Sequence, residues 1–331
     1  MKKIIILLLV LCSVTGCTKT SKDSLISQFT KDVNNSKGYH LEGKLTLHNN
    51  DDVFHYDMDV SFKKDKYYKV ILTNSSTMHK QVILKNMDGV FVLTPSLNKS
   101  FRFQSDWPYN NSQIYLLNAL SNDINSDSKV KFIDEDNYKV LSSSVNYPNN
   151  VKLKKQKLYF DKKGNLKKVV VYDSNDVDVM SMKFSKIDYH PKFKKDEFEI
   201  NQFINKEDEE DKVVQESNKL DDVIYPLFVP SGTKLVDEDK VKKTNGERVI
   251  MNFDGEKSFV LVEETADVFK DFTIIPTSGE PYFLMDSLGV ATNNSLSWTS
   301  GGVDYYLISD VMDQEEMVEV AQSIVGIVSM K

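Results

Sequence analysis

The sequence predicts an α+β protein whose larger part is an antiparallel sheet with few helices, followed by a smaller α+β domain. Apolar and polar residues alternate over residues 39–62 with one interruption, which is typical of strands with one buried and one solvated face. Helical spacing is confined to a few short segments. A charged run near residue 210 divides the chain, and 331 residues are enough for two domains.

The composition excludes several classes of protein. Hydrophobic residues make up 40% of the chain and aromatic residues 11%, which is enough for packed cores and excludes wholesale disorder. The net charge of −7 argues against a nucleic-acid partner, because phosphate binding needs a basic surface. Among the 42 basic residues only Arg102 and Arg248 are arginines, so bidentate phosphate clamps are not expected either.

Residues 1–16 have the pattern of a lipoprotein signal peptide. Lys2 and Lys3 supply a positive start, and residues 4–11 form an apolar run that is too short to span a bilayer. The following segment, Val14-Thr15-Gly16-Cys17, resembles a bacterial lipobox, with an aliphatic residue, a small residue and Gly ahead of the Cys that accepts lipid. The alternative is an ordinary secretory signal followed by an incidental cysteine.

Cys17 is the expected site of lipid attachment. Cys12 lies next to the apolar run and leaves with the leader, so Cys17 is the single mature cysteine and cannot form an internal disulfide. A diacylglyceryl group on Cys17, with residues 17–23 as a tether, would hold the protein on the extracytoplasmic face of the cell membrane. Loss of Lys2 and Lys3 lowers the formal charge from −7 to −9, so we expect the lipid, rather than attraction to anionic headgroups, to hold the protein there.

The first domain is assigned to residues 24–204. It opens with an amphipathic helix over residues 24–35, in which Leu25, Phe29 and Val33 recur at helical spacing. Strands separated by turn residues follow at 39–47, 54–62, 67–73, 80–84, 90–94 and 101–104.

A helix over residues 112–122, capped by Asn111 or Ser112, is predicted to interrupt the strands. The apolar positions of the last strand change parity after Phe184, which predicts a bulge near Ser185. The strands after this helix are predicted at 130–133, 138–142, 157–160, 166–172 and 177–189.

Residues 205–217 are predicted to be an acidic, solvated linker, and residues 218–331 a small α+β domain. This domain closes with a helix, because Asp313 and Glu316 are spaced as a capping box ahead of an apolar stripe. Its strands are predicted at 248–253, 258–264, 282–285, 296–299 and 303–309.

The sequence contains no pattern that is typical of a catalytic, metal or cofactor site. Three of the five histidines, His40, His48 and His55, fall on the polar side of strands, which favours solvated positions over a metal site; His79 and His190 complete the set. A nucleophile elbow, a phosphate-binding loop and a dinucleotide-binding glycine pattern are all missing. We therefore predict no catalytic residues, no metal and no cofactor, with a cell-wall enzyme as the least favoured alternative.

The predicted strands offer more apolar surface than two helices cover. One interpretation is a half-barrel whose concave side keeps an apolar groove for an acyl chain or a hydrophobic partner segment. The alternative, which composition alone favours, is that the helices and the curvature of the sheet bury these side chains as core. The candidate groove residues are Phe54, Tyr56, Met58, Phe62, Tyr68, Met180, Met182 and Phe184.

Several short segments resemble those of a known family. In the first domain they are Gly38-Tyr39, Lys99-Ser100-Phe101-Arg102-Phe103, Trp107-Pro108, Asn111-Ser112-Gln113 and Tyr115-Leu116-Leu117. On these residues the first domain resembles the LolA/LolB-like lipoprotein-carrier superfamily, and within it the YdcC-like sporulation lipoproteins of endospore-forming Gram-positive bacteria. The second domain resembles a small domain of unknown function that follows such domains, on Gly279-Glu280-Pro281, Trp298, Gly301-Gly302, Tyr305-Tyr306 and Glu316 to Ile324.

The resemblance implies a fold and a cellular setting. The fold is an incomplete antiparallel β-barrel, LolA-like, with covering helices and an apolar concave face. The setting is spore-envelope and cortex assembly or germination, in which a lipoprotein supports a cell-wall amidase. We therefore expect a non-enzymatic envelope lipoprotein that binds a lipidic or hydrophobic ligand, with a scaffold for a peptidoglycan amidase as the alternative.

Overall fold

The computed structural model describes residues 21–49, 52–64, 66–104, 107, 112–147, 152–204, 220, 223–284 and 287–328. The predicted leader, Cys17, most of its tether and the predicted linker 205–217 lie outside these residues.

The first unit consists of two helices and eleven strands among the described residues. They are α1 Lys22–Asn35, β1 Gly38–Asn49, β2 Asp52–Lys63, β3 Tyr67–Asn74, β4 Lys80–Asn86, β5 Gly89–Thr94, β6 Lys99–Phe103, α2 Leu117–Ser126, β7 Lys131–Asp134, β8 Lys139–Ser144, β9 Leu153–Phe160, β10 Leu166–Asp173 and β11 Asp178–Asp188.

These strands form one open sheet in the order β6-β5-β4-β3-β2-β1-β11-β10-β9-β8-β7, with every neighbouring pair antiparallel. The two end strands of the sheet do not pair with each other. The expected α+β fold with an incomplete antiparallel barrel is therefore confirmed.

Both helices lie on the same face of this sheet, which we call the inner face. A capping box of Ser21 and Ser24 starts α1, which buries Leu25, Phe29 and Val33. The ring of Phe29 meets that of Phe160 on β9 edge to face, with centroids 5.5 Å apart. Residues of α1, α2 and the inner face thus belong to one continuous core.

The outer face of β3 to β5 is covered by the segment that follows β11. Phe198 packs on Val82 and Phe91 in a second core, and its carbonyl accepts a hydrogen bond from Asn86 Nδ2 at 3.1 Å. Lys69 and Glu197 form a buried ion pair beside it. This part of the sheet is therefore buried on both faces.

The second unit is a seven-stranded sheet with one helix packed on it among the described residues. The elements of this part of the chain are β12 Thr233–Lys243, β13 Gly246–Gly255, β14 Phe259–Thr265, β15 Thr273–Thr277, β16 Glu280–Phe283, β17 Leu288–Ala291, β18 Ser295–Ser300, β19 Val303–Ile308 and α3 Gln314–Val328. The strand order of the sheet is β12-β13-β14-β19-β18-β17-β16, without β15.

The strand β15 leaves the second unit and pairs in parallel with β6, so it becomes the twelfth strand of the first sheet. Strand pairing therefore joins the two units directly. The sequence did not predict β15, and it also missed β12 and β17.

The helix predicted over residues 112–122 begins later than expected. α2 starts at Leu117, and no side chain caps it. Ser112, one of the two predicted caps, instead exchanges hydrogen bonds with the backbone of Asn146: its N–H donates at 2.8 Å and its Oγ accepts at 2.7 Å. Asn111, the other predicted cap, lies outside the described residues.

No helix within the described residues is long and apolar enough to cross a lipid bilayer.

Candidate functional site: a cavity between the two units

A cavity of about 120 Å³ lies where the second unit meets the inner face of the first sheet. The wall from the first sheet is apolar and includes Leu45 and Leu47 of β1, Ile83 of β4 and Met180 of β11. The wall from the second unit is formed by β16, β17 and α3, through Glu280, Pro281, Tyr282, Phe283, Leu288 and Gln322. Neither unit encloses the cavity alone.

Two contacts hold the second wall in place. The Gln81 side chain accepts a hydrogen bond from the N–H of Leu288 at 2.6 Å and donates to its carbonyl at 3.4 Å. Phe283 packs edge to face on Tyr56, with ring centroids 5.6 Å apart. Since Gln81 and Leu288 are both buried, the two bonds replace the water that these groups would otherwise bind.

A further part of the wall comes from residues that carry the family resemblance. Trp107, Gln113, Ile114 and Tyr115 all line the cavity. The backbone carbonyl of Trp107 accepts a hydrogen bond from the buried Lys85, which holds the backbone of Trp107 beside the cavity.

One carboxylate sits behind this wall. Asp123 on α2 accepts hydrogen bonds from Ser112 Oγ at 2.9 Å and from Gln156 Nε2 at 3.0 Å. Burial raises the pKa of Asp123 to about 6, although both hydrogen bonds act in the opposite direction. Burial and the nearby Asp123 carboxylate also raise the pKa of the Tyr147 hydroxyl, which lines the cavity, well above its ordinary value. Neutral phenol groups and aliphatic side chains thus line this space together with the polar Gln113, Glu280 and Gln322.

The structure places the eight candidate groove residues in the inner core. Only Met180 among them lines the cavity between the units, and it is half-buried. The other seven are no more than 6% exposed and pack with the helices: Phe54, Tyr56, Met58, Phe62, Tyr68, Met182 and Phe184. On the inner face, the cavity that one of these residues reaches therefore lies at the junction with the second unit.

A second, wider depression of about 500 Å³ lies on the outer face around Gly43, and two of the candidate groove residues, Met58 and Phe184, border it together with charged side chains. Lys44 and Asp57 form an ion pair at 3.1 Å, and His40 Nε2 lies 3.1 Å from Asp59. The hydrogen bond to Asp59 raises the pKa of His40. These pairs neutralise part of the lining, whereas Lys183, which also borders the depression, has no carboxylate within ion-pair distance among the described residues.

The histidines do not assemble into a site. His40 and His48 lie on β1 and His55 on β2, where His55 Nδ1 meets Thr46 Oγ1 at 3.2 Å. His79 is partly buried, and burial lowers its pKa. Within the described part of the chain there is no group of three or more His, Cys, Asp or Glu side chains that could hold a metal ion.

Comparison with known proteins identifies the family. Residues 1–198 match the family model described as sporulation protein YdcC-like. The sporulation protein YdcC of Bacillus subtilis (strain 168) is 36% identical over 325 residues, which cover 96% of this chain and 95% of that protein. The chain belongs to the YdcC-like family.

Both units of the YdcC-like chain therefore have a counterpart in the Bacillus relative, whereas the family model covers the first unit only. The wall that Glu280 to Leu288 and Gln322 contribute to the cavity thus lies beyond the residues that the family model matches. No local motif marks these residues as cavity-lining, because they reach the cavity only through the docking of the two units.

Solved structures resemble the chain more loosely. A LolA superfamily protein from Nitrosomonas europaea is 11% identical, with a TM-score of 0.32, covering 54% of this chain and 97% of that one. A complex of the CwlD amidase from Clostridioides difficile with the GerS lipoprotein gives 16% identity and a TM-score of 0.22, covering 53% of this chain and 98% of that one. Superpositions this loose carry no argument about the site.

Proposed function

We propose that the chain is a non-enzymatic lipoprotein of the cell envelope that acts in sporulation as a binding scaffold for a cell-wall amidase. In this proposal, acyl groups on Cys17 anchor it to the extracytoplasmic face of the membrane. The YdcC-like family membership supports the role in sporulation.

The filled inner face is the observation that favours a scaffold over a lipid carrier. Pockets that bury a lipid-sized or drug-sized ligand usually measure roughly 300–1,000 Å³. The cavity between the units is about 120 Å³, and seven of the eight strand side chains that would line an acyl groove are packed as core. The 500 Å³ depression around Gly43 lies on the outer face, outside the predicted concave groove, and charged side chains form much of its lining. A rigid body with a filled interior presents its surface to a partner.

Binding of an amidase is tested with purified proteins. The mature chain is mixed with the sporulation cell-wall amidase of the same organism, and complex formation is followed by light scattering together with amidase activity on spore peptidoglycan. A stable complex that alters amidase activity supports the scaffold. Absence of a complex, together with a stoichiometric lipid found by mass spectrometry of the purified chain, would show the carrier function instead.

The apolar lining of the cavity favours a second candidate, a small apolar ligand bound between the units. Met180→Trp places a larger side chain at the cavity wall. This change is expected to abolish binding of such a ligand while leaving an amidase complex intact, so it separates the two candidates.

The anchor is tested in cells. Cys17→Ala is expected to prevent incorporation of labelled palmitate and to release the protein from the membrane fraction. Cys12→Ala is the matched control, because Cys12 lies in the leader and its loss leaves the proposed attachment site intact. Membrane retention of the Cys17→Ala protein would refute the anchor.

A further inference from the structure

The outer face of β8 to β11 carries lysines that lie over tyrosine rings. Lys155 and Lys157 on β9 place their Nζ atoms 5.2 and 5.1 Å from the ring centroid of Tyr172 on β10. Lys168 on β10 places its Nζ 5.6 Å from the ring of Tyr159 on β9. We call these five residues, with Lys131 and Lys183 beside them, the lysine–tyrosine surface.

The sheet register makes this surface continuous. Lys131 lies opposite Ser142, and Ser142 lies opposite Lys157. In the neighbouring row Tyr159 lies opposite Lys168, and Lys168 lies opposite Lys183. Paired residues on adjacent strands lie about 5 Å apart, so the ammonium groups share one area of the surface.

These charges are less neutralised than those of the neighbouring strands. Lys155 forms an ion pair with Asp176. Among the described residues, no carboxylate lies within ion-pair distance of Lys131, Lys157, Lys168 or Lys183. By contrast, His40 and Lys44 on the outer face of β1 are paired with Asp59 and Asp57 of β2. Asp176 lies near Lys131 and Lys157, and Asp178 near Lys168, outside ion-pair distance. The five lysines outnumber these acids, so this surface has a local excess of positive charge.

The start of α1, on the inner face, reaches the β7 edge of the sheet, where Lys131 of the lysine–tyrosine surface lies on the outer face. Lys22 Nζ donates a hydrogen bond to the carbonyl of Val130 at 2.9 Å, immediately before β7 begins at Lys131. Three residues separate Cys17 from Ser21, the N-cap of α1. An extended chain of this length spans about 14 Å at most, so a lipid on Cys17 would keep this corner of the fold close to the bilayer.

We propose that the lysine–tyrosine surface docks on an anionic phospholipid bilayer and orients the anchored protein. Lysines with aliphatic stems on tyrosine rings suit the boundary between headgroups and acyl chains, where the stem and ring are buried and the ammonium contacts phosphate. The net charge does not prevent this contact, because at physiological salt a charge is screened beyond roughly 8 Å. The orientation in cells depends on the proposed Cys17 anchor, whereas the attraction itself does not.

Vesicle sedimentation tests the attraction without the anchor. A chain that begins at Thr18 keeps every described residue and is mixed with vesicles of phosphatidylglycerol and phosphatidylcholine in equal parts, or of phosphatidylcholine alone. We expect binding to the anionic vesicles only. Lys155→Glu/Lys157→Glu/Lys168→Glu is expected to weaken binding about a hundredfold, since each lysine near an anionic surface contributes about 1 kcal/mol.

Two controls separate the surface from net charge and from misfolding. Lys234→Glu/Lys240→Glu/Lys242→Glu makes the same change in charge on the exposed strand β12 and is expected to leave binding within about threefold. Lys155→Arg/Lys157→Arg/Lys168→Arg keeps the charge and should retain binding, and circular dichroism checks the fold of each variant.

Two results would overturn the proposal. One is an equal loss of vesicle binding in both glutamate triple variants, and the other is binding to soluble polyphosphate but not to vesicles. Neither result depends on whether Cys17 carries lipid or an amidase binds.

Discussion

At the scale of single residues, Asp123 is a half-buried acid that lies behind the wall of the cavity between the units. Its pKa in the folded protein is about 6, against an ordinary value of 3.8, because burial disfavours the carboxylate. Between these values the folded protein retains a proton that the unfolded chain has lost. The free energy of unfolding therefore falls as the pH rises through this window, by about 3 kcal/mol at most.

Asp123→Asn is expected to remove this pH dependence. Urea denaturation at pH 4 and at pH 7 measures it: relative to the original protein, the variant gains about 2 kcal/mol of stability between the two values. An amide cannot ionise, and it keeps an oxygen that accepts from Gln156. A difference between the two proteins that does not change with pH would contradict the prediction.

Asp127 is the matched control with the opposite sign. Hydrogen bonds from Ser144 and Lys129 lower its pKa, with the backbone N–H of Ser144 as the main cause. Its ionised form is thus favoured in the folded state, and its contribution to stability is lost as the pH falls through the lowered pKa. Asp127→Asn should therefore destabilise the protein at pH 7 and have little effect at low pH, as the same titrations will show.

At the scale of elements, the features that depend on local pattern were predictable. The alternation of residues 39–62 predicted β1 and β2, and the parity change predicted the bulge: Glu42 pairs with Lys186 and Gly43 with Phe184, which leaves Ser185 unpaired. Asp313 and Glu316 form the predicted capping box, in which each side chain accepts from the backbone N–H of the other. In each case the residues that determine the structure are neighbours in the chain.

The elements that the sequence missed depend on distant partners. β15 is five residues long, contains Pro276, and exists because it pairs with β6 of the other unit. β12 is largely exposed and charged, so no alternation of burial marks it as an edge strand. The start of α2 is displaced because Ser112 bonds to Asn146, thirty-four residues later, instead of capping the helix.

The bulge in β11 lies against a glycine that admits no side chain. A Cβ on Gly43 would lie 2.4 Å from the carbonyl oxygen of Lys183 and 2.8 Å from Met182 Cε. Because the carbonyl belongs to a paired strand, it cannot move without breaking the register of β1 and β11. Gly43→Ala is expected to lower the free energy of unfolding by about 3 kcal/mol, measured by urea denaturation.

Gly302 provides the comparison for this prediction. It has a φ of +78°, and no atom lies within 4 Å of the position that a Cβ would take. Gly302→Ala therefore adds backbone strain without a clash and should cost about 1 kcal/mol. A Gly302→Ala protein as unstable as Gly43→Ala would show that backbone conformation, rather than close packing at the bulge, determines the cost.

At the scale of the whole molecule, the sequence predicted apolar strand residues but contained no sign of the cavity at the junction of the two units. The apolar strand residues are real, but α1 and α2 cover them, and only Met180 reaches the cavity. The deciding contacts join residues far apart in the chain, as Gln81 and Leu288 show. A single sequence contains no signal for such pairs, so the position of the cavity could not be derived from it.

The two units are also joined by a buried ion pair. Lys99 Nζ on β6 lies 3.1 Å from both carboxylate oxygens of Asp304 on β19, and both side chains are less than 10% exposed. Thr299 Oγ1 donates a further hydrogen bond to Asp304. Breaking such a pair leaves one buried charge without its partner, which costs about 3 to 5 kcal/mol.

Lys99→Met is therefore expected to destabilise the junction, and one tryptophan in each unit reports on it. Trp107 lies in the first unit and Trp298 in the second, and both are buried. In Trp107→Phe and Trp298→Phe backgrounds, the fluorescence of the remaining indole should show coincident urea transitions while Lys99 is present. With Lys99→Met, the Trp298 transition should occur at lower urea than that of Trp107, because the second unit loses its strongest polar contact with the first sheet.

Lys99→Met/Asp304→Leu removes both charges and should restore part of the lost stability. Coincident transitions in the Lys99→Met protein would mean that β15 and the cavity wall alone make the two units unfold together.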